Sequence, residues 1–285
     1  MANMKTRDFG PSGMKFTAVG LGTWNMEPSP AESVKAIRAG IEAGANHIDT
    51  AELYGDGKVE EIAAEALRGS RDKVRVVSKV MPVNASYEGT LKACERSLKR
   101  LQTDHLDVYL LHWREEDTRI GETFRAFEKL KEQGKILGWG VSNFGVKDLE
   151  EAERAMGKGK MVCNQVLYHL KERAIEFEVI PWCKAHGVAV MGYSPFSQGG
   201  LPASPAGRPE SPALKKISKE LGATPAQVTL AYLTRDPAVF GIPKSSHADR
   251  TLENLRSADL ALSKKDIEAI EADFPAKPRK TLPTL

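Results

Sequence analysis

The sequence predicts an α/β chain that folds as a single (β/α)8 TIM barrel over residues 1–285, with an N-terminal β-hairpin and additional helices. Three observations lead there. Apolar runs too short for helices recur about every thirty residues along the chain. Stretches of helical period separate them, which makes the strands parallel and joined by crossovers. Eight such units are present, and eight suit a closed barrel better than an open sheet.

The hairpin is read in RDFGPSGMKF, turning at Pro11-Ser12-Gly13 and placed to plug one barrel end. The first barrel strand is TAVGL (17–21), followed by the apolar-periodic SVKAIRAGIEAGA (33–45) and the strand NHIDT (46–50). A helix over 58–68 leads to VRVVSK (74–79), one over 87–101 to LDVYLLH (106–112), and one over 121–133 to ILGWGVS (136–142). A helix over 146–156 then leads to MVCNQV (161–166), one over 176–186 to VAVMGYS (188–194), and one over 225–234 to VFGIPKS (239–245). SKKDIEAIEADF (263–274) is a closing helix with Ser263 as its cap. One stretch, SPFSQGGLPASPAGRPESP (194–212), is rich in Gly, Pro and Ser and has neither period. It reads as a lid over a bound ligand, with a domain linker as the alternative.

Composition narrows the class of partner. The 41 basic and 38 acidic residues leave a net charge of +3, which selects for neither nucleic acid nor a charged membrane surface. The opening MANMKTRDFG lacks the apolar core of an export signal, and no run approaches the length of a membrane span. A cytoplasmic protein with no membrane partner is therefore expected. Cys94, Cys163 and Cys183 are odd in number and far apart, so neither a disulfide framework nor a metal site is expected.

In a barrel of this kind the reacting groups sit at the C-terminal ends of the strands. Polar residues that close the apolar runs are Asp49 with Tyr54 beyond it, Lys79, His112, Ser142 with Asn143, Asn164 with Gln165, Tyr193, and Lys244 with Ser245. Each alone has an ordinary structural reading, as a cap, a rim residue or a solvated strand end. Asp49, Tyr54, Lys79 and His112 come from adjacent strands, so they would converge at one mouth, and their chemistry fits one task. A phenol, with a pKa of about 10, donates a proton poorly at neutral pH, and an adjacent ammonium lowers that value. Lys79 supplies the ammonium, and Asp49 supplies the counter-charge that a buried lysine needs. His112 then bonds a substrate oxygen and aims it at Tyr54 as general acid.

At this point the sequence resembles the aldo-keto reductase superfamily over nearly its whole length. DTAELYGDGKVEE (49–61), the lysine of VVSKV, the histidine of YLLHW, GWGVSNF (138–144), the NQV of the sixth strand, YSP (193–195) and IPKSSHADRTLEN (242–254) stand in the family's order and spacing. The resemblance implies that Asp49, Tyr54, Lys79 and His112 are the catalytic tetrad, with Tyr54 as proton donor. It implies that Ser142, Asn143 and Gln165 hold the nicotinamide carboxamide and that Tyr193 stacks on the nicotinamide. It places Lys244, Ser245 and Arg250 at the adenosine 2′-phosphate, and Glu253 and Asn254 around the adenine. Further cofactor contacts implied are Gly22, Thr23, Trp24, Asp49, Ile242 and Pro243. Ser194, Pro195, Phe196, Ser197, Gln198 and Gly199 fall in the segment that closes over the pyrophosphate. A lysine and an arginine six residues apart across the start of a helix make a cradle for a dianion, so NADPH/NADP+ is favoured over NADH. No G-x-G-x-x-G or Walker pattern offers another route to a nucleotide.

The resemblance implies that Trp24, Tyr54, His112 and Trp113 wall the substrate pocket, with a core or rim aromatic as the alternative for Trp24 and Trp113. The segment after His112 and the tail after Phe274 are both short. An open pocket is therefore expected, and the resemblance implies small aldehydes and dicarbonyls such as methylglyoxal as substrates and a monomeric protein. Two alternatives share the scaffold: oxidation of an alcohol or sugar in the reverse direction, and a slow-turnover NADPH-sensing regulatory subunit.

Overall fold

The computed structural model describes residues 4–197 and 211–284. Most of the Gly- and Pro-rich stretch, including the candidate cofactor residues Gln198 and Gly199 and the expected lid, lies outside the described residues. Strands β1 (Thr6–Asp8) and β2 (Lys15–Thr17) pair antiparallel across a short turn whose Gly13 has φ 72°. Among the described residues eight parallel strands follow: β3 (Leu21–Gly22), β4 (His47–Asp49), β5 (Arg75–Val80), β6 (Leu106–Leu111), β7 (Ile136–Ser142), β8 (Met161–Leu167), β9 (Ala189–Tyr193) and β10 (Val239–Ile242). Each pairs with the next in chain order. Gly20 and Gly22 donate to the carbonyls of Gly241 and Pro243 at 2.9 and 3.1 Å, so the first strand also meets the last and the ring closes. Gly22 permits this seam, because a Cβ there would stand 2.5 Å from the Ile242 carbonyl oxygen.

The crossover helices are α1 (Pro30–Glu42), α2 (Lys58–Leu67), α3 (Tyr87–Leu101), α4 (Ile120–Glu132), α5 (Val146–Met156), α6 (Val179–Ala185), α7 (Pro212–Leu221), α8 (Pro225–Leu233) and α9 (Ala248–Leu255), with α10 (Lys264–Asp273) closing the chain. Ser263 caps α10 as expected, accepting from the Asp266 N–H while Asp266 accepts in return. Two expectations need correction. The first barrel strand is confined to Leu21–Gly22, because Thr17 belongs to the hairpin and pairs with Thr6. Helix α7 has no counterpart among the expected elements, although Ser211 caps it through the Leu214 N–H and Pro212 opens its first turn.

The barrel strands are almost wholly buried, as parallel strands covered on both faces must be. Inside the ring, the hairpin contributes Phe9 and Phe16, stacked at 3.9 Å, and Phe9 meets Phe240 of β10 edge-on at 5.1 Å. These rings join Val77, Val108 and Met191 in one apolar cluster. Burying each phenyl ring is worth about 1.5–3 kcal/mol. The hairpin therefore fills the end at which the strands begin, where Phe16 also lies against His47. The opposite end is left for chemistry.

Candidate active site

Strand register brings the first two polar groups together, and a turn adds the third. Asp49 closes β4 opposite Val77 of β5, and Lys79, two residues further on, faces the same side. Lys79 is fully buried, and all three of its N–H donors are used. Nζ donates to Asp49 Oδ2 at 2.8 Å, to the Thr50 carbonyl at 2.8 Å and to the Tyr54 hydroxyl at 3.1 Å. Tyr54 reaches the lysine from a tight turn, Tyr54–Gly57, in which Gly55 and Gly57 take φ of 55° and 87°. Those values favour glycine and set the turn's sharpness. His112 follows β6, its ring edge-on to that of Tyr54 at 5.8 Å and its Nδ1 buried without a partner among the described residues.

A second group stands across the mouth. Gln165 of β8 donates to Asp49 Oδ1 at 2.7 Å, and Thr23 donates to the Asp49 carbonyl at 2.8 Å. Ser142 bonds the Gln165 carbonyl at 2.8 Å. Asn143, in the left-handed region at φ 63°, donates to the His112 carbonyl at 3.1 Å and to Ser142 Oγ at 3.2 Å. It accepts from the Tyr193 hydroxyl at 2.9 Å. Residues at the ends of seven strands, β3 to β9, thus form one continuous network.

Burial and charge compete at each ionisable group. Burial would lower the Lys79 ammonium, but Asp49 and Tyr54 overcome it and hold the lysine above its ordinary value, charged. Burial pushes the Asp49 carboxyl up, while Lys79 and Gln165 pull it back. Burial also pushes the Tyr54 phenol up and outweighs the downward pull of Lys79. The downward pull of Lys79 is the one expected from the sequence; Asp49 opposes it, and burial outweighs what remains. His112 is held well below its usual value, first by burial and then by Lys79, so its imidazole is neutral at physiological pH.

A cavity of about 490 Å³ opens over these residues. Of the residues expected from sequence, its wall contains Gly22, Thr23, Trp24, Asp49, Tyr54, His112, Trp113, Ser142, Asn143, Gln165, Tyr193, Ser194, Ile242 and Lys244. Pro243, Ser245 and Asn254 instead line a small crevice beside it, with Gly22 common to both. Arg250 is exposed on α9, and Glu253 is tied through Oε1 to Thr224, the cap of α8. Pro195, Phe196 and Ser197 follow Ser194 without joining the cavity wall. Three wall residues are absent from the expected set: Leu53, Arg114 and Thr284. The first two adjoin expected residues in sequence, a usable signal. Thr284 has no such signal, because it depends on the path of the tail, which Arg279 pins to Glu172 at 2.7 Å. The tail is short, yet it reaches the mouth.

The sequence profile of the aldo/keto reductase family matches residues 18–273. The chain belongs to this family. A methylglyoxal reductase of Escherichia coli is 41% identical over 271 residues, covering 94% of each chain. A glyoxal reductase of Bacillus subtilis is 35% identical over 261 residues, covering 92% of this chain and 90% of its own. Among solved structures, an aldo/keto reductase of Klebsiella pneumoniae in complex with NADP and acetate superposes with a TM-score of 0.91 at 40% identity. That match covers 99% of this chain and all of the other. The (β/α)8 barrel with its N-terminal hairpin is thus the architecture of an aldo/keto reductase, as the sequence pattern predicts.

Proposed function

We propose that the protein reduces aldehydes and ketones to alcohols with NADPH, small dicarbonyls such as methylglyoxal among them, and that Tyr54 gives the proton. One observation carries this reading: the Tyr54 hydroxyl lies 3.1 Å from a fully buried, aspartate-paired ammonium, in the wall of a cavity shared with His112. The substrate oxygen accepts hydrogen bonds from Tyr54 and from the neutral His112 imidazole, which together polarise the carbonyl. Lys79 steadies the phenolate that forms as the proton leaves, and Asp49 keeps the lysine charged. NADPH supplies the hydride.

The residues present suit that cofactor. Lys244 faces the cavity, and Arg250 lies in the first turn of α9, where helix N–H groups favour an anion. Ser142, Asn143 and Gln165 offer amide and hydroxyl partners for a carboxamide, and Tyr193 offers an aromatic face beside them. The reductase relatives of Escherichia coli and Bacillus subtilis support the dicarbonyl substrates, and the NADP-bound Klebsiella pneumoniae structure supports the cofactor. The deciding experiment is a panel of aldehydes and dicarbonyls run with NADPH and NADH on wild type and Tyr54→Phe. Turnover by Tyr54→Phe is expected to fall by at least about a hundredfold, as loss of a general acid does, with NADPH affinity nearly intact. Unchanged turnover would remove Tyr54 from the acid's role.

A further inference from the structure

Arg114 lines the same cavity, two residues beyond His112. A guanidinium has five N–H donors. Three are held by α5: Nη1 donates to Asp148 Oδ1 at 3.1 Å and to Glu151 Oε2 at 2.6 Å, and Nη2 donates to Glu151 Oε1 at 3.3 Å. These bonds fix the plane of the guanidinium, as a bidentate carboxylate does. Asp148 is itself held by the cap of α5, accepting from the Gly145 N–H at 3.2 Å. The Nε–H and the second Nη2–H are outside these bonds. The cavity wall thus contains a rigid donor group that the reaction of a simple carbonyl does not use.

We infer that Arg114 is a specificity-determining residue that hydrogen-bonds the second oxygen of a short dicarbonyl while Tyr54 and His112 hold the reacting one. This rests on the carbonyl-reductase reading of the cavity and deepens it. Charge refines the choice of substrate. Arg114 with Asp148 and Glu151 is a cluster of net charge −1, so it offers hydrogen bonds without a net attraction for anions. A neutral second carbonyl is matched, and the carboxylate of an α-oxo acid gains little from its charge there.

The test compares kcat/KM with NADPH for methylglyoxal, propanal and glyoxylate in wild type, Arg114→Met and the double variant Asp148→Asn/Glu151→Gln. The methylglyoxal-to-propanal ratio is expected to fall about tenfold or more in Arg114→Met, chiefly through KM, as loss of one charged hydrogen bond does. The glyoxylate-to-propanal ratio is expected to rise about tenfold in the double variant, where the guanidinium keeps its charge and loses both counter-charges. Unmoved ratios in variants that keep the wild-type circular dichroism overturn the role of Arg114 alone. A wild type that oxidises NADPH with neither methylglyoxal nor propanal overturns the underlying reading, and this inference with it.

Discussion

Gln165 on β8 donates its side-chain N–H to Asp49 on β4 across the barrel mouth, 2.7 Å away. The two carboxylate oxygens of Asp49 are thereby divided, one to Gln165 and the other to Lys79 at 2.8 Å. A single aspartate couples the side of the mouth that presents amide groups to the side that presents the phenol. Disturbing it is expected to affect stability and proton transfer together.

Asp49→Asn keeps the shape of the side chain but leaves a fully buried ammonium without its counter-ion. Removing one partner of a buried pair costs about 3–5 kcal/mol, whereas replacing both with apolar groups costs far less. Urea unfolding is expected to show Asp49→Asn less stable than Asp49→Leu/Lys79→Met, with both variants inactive. The reverse order of stability would mean that the pair is not what holds this end of the barrel.

The pH dependence follows from two neutral histidines. His47 is fully buried, and burial takes its pKa from the ordinary 6.5 down to about 3. As pH falls below 6.5 the unfolded chain binds a proton at this site and the folded chain does not, so acid favours unfolding. The contribution is complete above about 6.5 and is lost progressively toward pH 3. Thermal melts between those values are expected to slope less steeply for His47→Asn than for wild type. His112, also held well below its usual value, adds to the slope. It is expected to leave no break in kcat near pH 6.5, and such a break would show that the working imidazole is not neutral.

Much of this was legible because periodicity and strand-end chemistry are local. Helices α3 and α5 fall where their apolar spacing places them, at 87–101 and 146–156. The four residues from Asp49 to His112 are found together because parallel strands put their C-terminal ends at one face. Other features depend on distant contacts. The acidity of Tyr54 is set by a balance of burial against two opposed charges, which spacing alone does not weigh. The role of Thr284 depends on where the tail is pinned, by Arg279 to Glu172. Helix α7 was hidden for another reason: its cap, Ser211, ends a Pro- and Gly-rich run that reads as irregular throughout.

The cofactor's phosphate gives the last expectation. Lys244 is half-buried at the cavity, and burial lowers its pKa while Glu27 partly restores it. Arg250 is exposed on the first turn of α9, free to swing toward a bound anion but screened by salt until it does. Its contribution should therefore sit at the lower end for a charged hydrogen bond, about 1.5 kcal/mol. Arg250→Ala is expected to weaken NADPH about tenfold in a fluorescence titration at low salt, less at high salt, and to leave NADH within about twofold. The salt dependence separates this role from a packing role, since lost packing would weaken both cofactors alike at every ionic strength. Equal weakening of NADH would place the phosphate pocket elsewhere on the mouth.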